Sequence, residues 1–196
     1  MNMVLEKDMI LQELLSKDES LLVVKGELKD FYALEECKAD FIQGQIYVQM
    51  SASRNHEKIF MRLSNLLYTW VQERGLGEVY GSRTPIALQA DYHPEPDILF
   101  IAADNVGLFG NTTFEGVPEL VVEIVSASTR KLDLETKRPL YQQSGIAEIW
   151  FIDFLENRIM IDYKINQQYH TVELTAGQTW ESKVLAGFVI EAEKIL

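Results

Sequence analysis

A carboxylate stands in the middle of an apolar run, Leu120-Val121-Val122-Glu123-Ile124-Val125. Branched apolar residues on both sides of it, without polar alternation, are the pattern of a strand covered on both faces, the kind that lies in the centre of an α/β sheet. An isolated carboxylate is costly to take out of water even after the protein relaxes, so Glu123 calls for a cation, a metal ion or a proton beside it. A salt-bridged glutamate at a cleft edge is the plain reading. A perturbed carboxylate in a cleft is also where function concentrates.

The rest of the chain has to supply the sheet around that strand. Residues 1–16 read as an amphipathic helix, followed by a connection to Leu28 and a second short helix over residues 30–38. Residues 41–50 read as a hairpin or bent strand around Gly44. The clearest helix follows: Ser53 can cap it, Ile59, Leu63, Leu66, Leu67, Trp70 and Val71 recur at helical spacing, and Gly75 and Gly77 stop it. Strands are expected over 78–81, 85–89 and 96–101, and then a long loop over 103–118. Residues 126–129 can cap a helix running to about Ser144. Strands over 149–154, 158–164 and 169–174 and an extended piece at 184–190 complete the pattern. With 196 residues and no repeat, low-complexity tract or linker, one domain over 1–196 is expected, its core within residues 30–175.

Charge and cysteine content narrow the function classes. A net charge of −12 speaks against non-specific coating of nucleic acid, which needs a broad basic surface. It leaves a nuclease open, because metal ions at a carboxylate site reverse the local charge. Arg54, Lys58 and Arg62 share one helix face, but a solvated face explains them better than a phosphate-tracking strip. The single cysteine, Cys37, excludes an internal disulfide and suits the cytoplasm, and no apolar stretch is long enough for a bilayer span. No membrane partner is expected.

Two further features give Glu123 chemical company. Asp97 sits at the mouth of the apolar strand Ile98-Leu99-Phe100-Ile101. Asp133, Lys137 and Tyr141 recur every four residues in the helix after Glu123, so they project from one face and Lys137 can fold back toward the carboxylate. Pro139 is awkward there, since it lacks the amide donor and should kink or delay the helix. Two carboxylates on neighbouring strands can hold Mg²⁺, whose oxygen ligands lie at about 2.0–2.1 Å, leaving positions for water and a substrate phosphate. With an ammonium nearby to stabilise charge on phosphate oxygens, this is a layout for phosphodiester hydrolysis.

On these residues the chain resembles the Uma-type family of restriction endonucleases in the PD-(D/E)XK nuclease superfamily. The likeness covers 30–164 and is carried by Pro96-Asp97, by Pro118-Glu119-Leu120-Val121-Val122-Glu123-Ile124-Val125-Ser126-Ala127-Ser128-Thr129, and by Asp133, Lys137, Tyr141 and Gly145-Ile146-Ala147-Glu148-Ile149-Trp150. Asp40, Ser53 and His56 add to it. The resemblance implies an α/β (α+β) fold, a restriction-endonuclease-like mixed β-sheet flanked by helices. It implies Asp97 and Glu123 as ligands of Mg²⁺ or Mn²⁺. It also implies Lys137 as a catalytic lysine moved to the helix, because Val125 stands where the superfamily pattern has its lysine. Asp40, His56, Asp133 and Tyr141 take supporting roles, and DNA is the expected substrate, with a homodimer expected by analogy with enzymes that cut both strands.

Two other classes compete. A nuclease fold that has lost catalysis and binds partners would suit the acidic surface and the presence of Gln43 and Gln45 where acids could stand. A two-carboxylate glycosidase would need acids about 5–9.5 Å apart and no metal. It gives Lys137 no role.

Overall fold

The computed structural model describes residues 21–34, 37–49 and 52–196. Strand β1 (Leu21–Lys25) and helix α1 (Leu28–Tyr32) precede the hairpin β2 (Lys38–Ile42) and β3 (Gln45–Gln49). Gln43 and Gly44 join the hairpin with φ of 50° and 77°, the left-handed pair that a two-residue turn between twisted strands requires. The long helix α2 (Arg54–Arg74) is capped by Ser53, whose side chain accepts from the His56 N–H, and ends on left-handed Gly75. Then come β4 (Gly77–Gly81), β5 (Tyr92–His93), β6 (Ile98–Ala102), a 3-10 turn (Ala103–Leu108) and β7 (Leu120–Ile124). A π-helical stretch (Leu132–Lys137) runs into α3 (Arg138–Ser144). The chain closes with β8 (Glu148–Asp153), β9 (Arg158–Ile165), β10 (Gln168–Leu174), β11 (Thr179–Glu181), β12 (Val189–Glu191) and α4 (Ala192–Ile195).

The strands form a six-stranded mixed sheet, ordered β10-β9-β8-β7-β6-β4, a four-stranded antiparallel sheet, ordered β1-β3-β2-β5, and the small pair β11-β12. Strand β7 lies between antiparallel β6 and parallel β8, and all five of its residues are buried. Its alternation decides what each face meets. Leu120, Val122 and Ile124 join the cluster that α2 covers with Ile59, Leu63, Leu67 and Val71. Val121 and Val125 face the other way, into a second cluster with Leu99, Ile101, Tyr92 and Tyr141. Glu123 therefore points to the side where α3 and the four-stranded sheet pack. On the α2 side, buried Glu148 accepts from Trp150 Nε1 (2.7 Å), Trp180 Nε1 (2.8 Å), Ser182 Oγ (3.0 Å) and the Lys183 N–H (2.7 Å), which ties the C-terminal segment to β8.

Several boundaries differ from the sequence reading. The expected helix over 1–16 lies outside the described residues. The connection before Leu28 contains β1, which pairs with β3, and the helix expected over 30–38 ends at Tyr32, so that Lys38 opens β2 instead. Residues 85–89 form only isolated bridges, Ile86 to Phe114 and Gln89 to Tyr92, because the proline-rich segments around them allow no continuous ladder. The extended piece at 184–190 is strand only in its last part. The π turn settles Pro139: the wide turn ends just ahead of it, and the proline falls in the first turn of α3, where no amide donor is needed.

Candidate active site

The register of the main sheet brings the two expected acids together. Ile98 pairs with Val122 in the antiparallel ladder of β6 and β7, so one step further Asp97 lies across from Glu123. Asp97 is fixed by its own neighbour strand, its Oδ2 accepting from the Ile124 N–H at 2.7 Å. Both acids line one cavity of about 700 Å³, together with Lys38, Gln49, Ser53, His56, Ser128 and Asp133.

The helix after β7 closes over Glu123 as its four-residue spacing predicts. Lys137 Nζ lies 2.7 Å from Glu123 Oε1, 3.0 Å from Asp40 Oδ1 and 3.7 Å from Asp133 Oδ1. Tyr141 donates its hydroxyl to Glu123 Oε1 at 2.6 Å. Asp40 comes from β2 in the other sheet and accepts from Gln49 Nε2 and from the Glu95 N–H, each at 2.9 Å. His56, in the first turn of α2, places Nε2 3.3 Å from Asp97 Oδ1. All seven residues singled out in the sequence thus meet around one site.

Sequence reasoning missed Lys38, whose Nζ lies 2.5 Å from Asp97 Oδ1, and Glu95, which accepts from the Ala39 N–H at 3.1 Å. Lys38 shares a strand face with Asp40, two residues on, and that alternation was the available signal. The expected helix end at Lys38 concealed it. Arg62 leaves the basic helix face to hydrogen-bond the Lys194 and Ile195 carbonyls, at 2.5 and 3.4 Å.

Four buried carboxyl groups, Asp40, Asp97, Glu123 and Asp133, confront two lysines, so fully ionised the cluster would carry surplus negative charge. The titration of its members follows. Burial pushes the Glu123 carboxyl up, and the nearby Asp97 charge adds to this against the pull of Lys137. Burial works against the charged form of Lys137, but Asp40, Glu123 and Asp133 outweigh it and hold the ammonium well above the usual lysine range. Asp97 goes the other way: burial is outweighed by Lys38 and His56, which keep it well below the usual carboxylate range. Burial, opposed by Lys137 and reinforced by Glu123, pushes Asp133 up to about 8.

That last shift has a consequence for stability. A carboxyl raised from 3.8 to about 8 binds its proton more tightly folded than unfolded, so it weakens the fold progressively as pH climbs between those values. Asp133→Asn is expected to melt above the wild type at pH 8, with the advantage vanishing near pH ~4. Thermal melts across that range test this; a difference that does not change with pH would contradict it.

The donor set fits a hard divalent ion. Asp97 and Glu123 present carboxylate oxygens on one wall of a polar cavity, and among the described residues nothing bonds Glu123 Oε2. No group of three or more His, Cys, Asp or Glu among the described residues forms a metal site by itself, so water and substrate oxygens would complete the sphere.

The sequence matches the Uma2 family, described as "Putative restriction endonuclease", over residues 28–193. A crystal structure of a "putative nuclease belonging to DUF820" from Anabaena variabilis superposes with a TM-score of 0.72 and 15% identity, covering 86% of this chain and 97% of that one. At that identity the likeness speaks for the fold, a mixed sheet with flanking helices. No curated protein matches the chain. Among the described residues no helix is long and apolar enough to cross a membrane.

Proposed function

The chain belongs to the Uma2 family, and from that premise we propose that it is a Mg²⁺- or Mn²⁺-dependent DNA endonuclease whose metal is held by Asp97 and Glu123. The observation that carries this reading is the excess of buried carboxyl over ammonium groups beside the cavity: Asp97, Glu123 and Asp133 line it and Asp40 lies behind them, against Lys38 and Lys137. A divalent ion would offset it, and when bound would acidify water and draw charge from a phosphate.

The chain's own groups prepare the site. Lys137 and Tyr141 both hold Oε1 of Glu123, which fixes the carboxylate and leaves Oε2 for a ligand. The Ile124 N–H fixes Asp97. Asp40 and Asp133 retain the Lys137 ammonium, and His56 bounds Asp97 on the cavity side. The N-terminus of the 21-residue α2, with Ser53 and Asn55 at the cavity, favours an anionic substrate such as the DNA backbone. Cutting both strands of a duplex would take two copies of the site, as in a homodimer. Free Cys37 suits a reducing compartment such as the cytoplasm.

Incubation with supercoiled, linear and single-stranded DNA tests the proposal. Cleavage is expected in Mg²⁺ or Mn²⁺ and should cease with EDTA, and Mn²⁺ binding in calorimetry should be lost in Asp97→Asn. Intact DNA in all three forms with either ion, together with no calorimetric binding, would leave the non-catalytic binding module as the better reading.

A further inference from the structure

The site contains two lysines, and they are not equivalent. Lys137 is completely buried, is enclosed by Asp40, Glu123 and Asp133, and is absent from the cavity lining. A phosphate could reach its ammonium only by displacing the carboxylates that enclose it. Lys38 does line the cavity; its side chain is 15% exposed and, among the described residues, pairs with one carboxylate, Asp97. An ammonium carries three donors, so one partner leaves two for another anion.

We propose that Lys38, and not Lys137, is the lysine that contacts the substrate phosphate, while Lys137 acts through Glu123 as a positioning residue. This assignment rests on the nuclease reading and deepens it. Lys38 begins β2, directly across the hairpin from Gln49, so its backbone is anchored while its four-carbon stem carries rotatable bonds up to the ammonium. From its place beside Asp97, the ammonium can turn to a non-bridging phosphate oxygen without leaving the cavity. There it would stabilise the charge that grows as the phosphorus is attacked. Gln49, Ser53 and Ser128 line the same cavity and offer uncharged donors to the flanking oxygens. Lys137 has no comparable path, because the wall of the cavity at that point is Glu123 itself.

The test compares Lys38→Met, Lys38→Arg and Lys58→Met, the last removing the same charge from the exposed side of α2. Binding of a labelled duplex is followed by anisotropy in EDTA between 50 and 200 mM salt, roughly the range over which phosphate contacts dominate affinity. Loss of one phosphate contact should shallow the log-log salt slope by about 0.9 in Lys38→Met, whereas Lys38→Arg and Lys58→Met keep the wild-type slope. Single-turnover cleavage in Mg²⁺ should fall by about 10²–10³ in Lys38→Met and by less in Lys38→Arg. Wild-type slope and rate in Lys38→Met, or an equal loss in Lys58→Met, would overturn the assignment while leaving the nuclease reading intact. If the wild type neither binds nor cuts DNA, the nuclease reading fails and the assignment falls with it.

Discussion

Glu123→Gln is expected to lower metal-dependent DNA cleavage by about two to three orders of magnitude, the scale on which one preorganised charge-stabilising group acts. The substitution keeps size and shape, and the amide oxygen can still accept from Tyr141 and face Lys137. What it removes is charge. Because burial and Asp97 already push the Glu123 carboxyl up, its ionised form is a burden on the fold, and the glutamine variant should melt no lower than the wild type at pH 7. Loss of activity without loss of stability is the pattern that separates a ligand from a structural group. Mn²⁺ affinity should fall in parallel. Undiminished cleavage by the folded variant would remove Glu123 from the chemistry.

Much of this site was legible in the sequence because its main parts are local. Glu123 stood out by interrupting an apolar strand, and the i, i+4 spacing of Asp133, Lys137 and Tyr141 survives the change from π to α winding because all three remain buried on one side. Asp97 was readable as an acid at a strand mouth, but only the ladder with β7 sets it opposite Glu123. Lys38 was legible only through its alternation with Asp40, which the expected helix end concealed. It meets Asp97 across 59 residues of chain and across two sheets, a contact that no periodicity encodes. Nor does the four-stranded sheet announce itself, since its edge strand β1 is five residues long and its fourth strand only two. The π turn was hidden for another reason: Pro139 shows that the helix must change there, but several distortions could accommodate it.

Lys137→Met should destabilise the protein by about 3–5 kcal/mol, the usual cost of leaving a buried charge without its partner. Methionine fills most of the lysine volume, so the loss is electrostatic rather than a cavity. Asp40 and Glu123 would each lose a cation within 3.0 Å, and both side chains are almost wholly buried, being 0% and 1% exposed. Against a total stability of about 5–15 kcal/mol, this is a severe defect. Urea titration measures it directly. The cause is separable from mere loss of packing, because the penalty should shrink where the carboxylates are already neutral. In the Glu123→Gln background, Lys137→Met should cost less by about 0.5–3 kcal/mol, the coupling expected between groups in contact. Lowering the pH should also narrow the gap, as protonation of Glu123, whose carboxyl burial already pushes up, removes a charge that the ammonium offsets. If the cost is the same in both backgrounds and at every pH, Lys137 is a packing residue, and its three carboxylates must be held in place by something other than its charge.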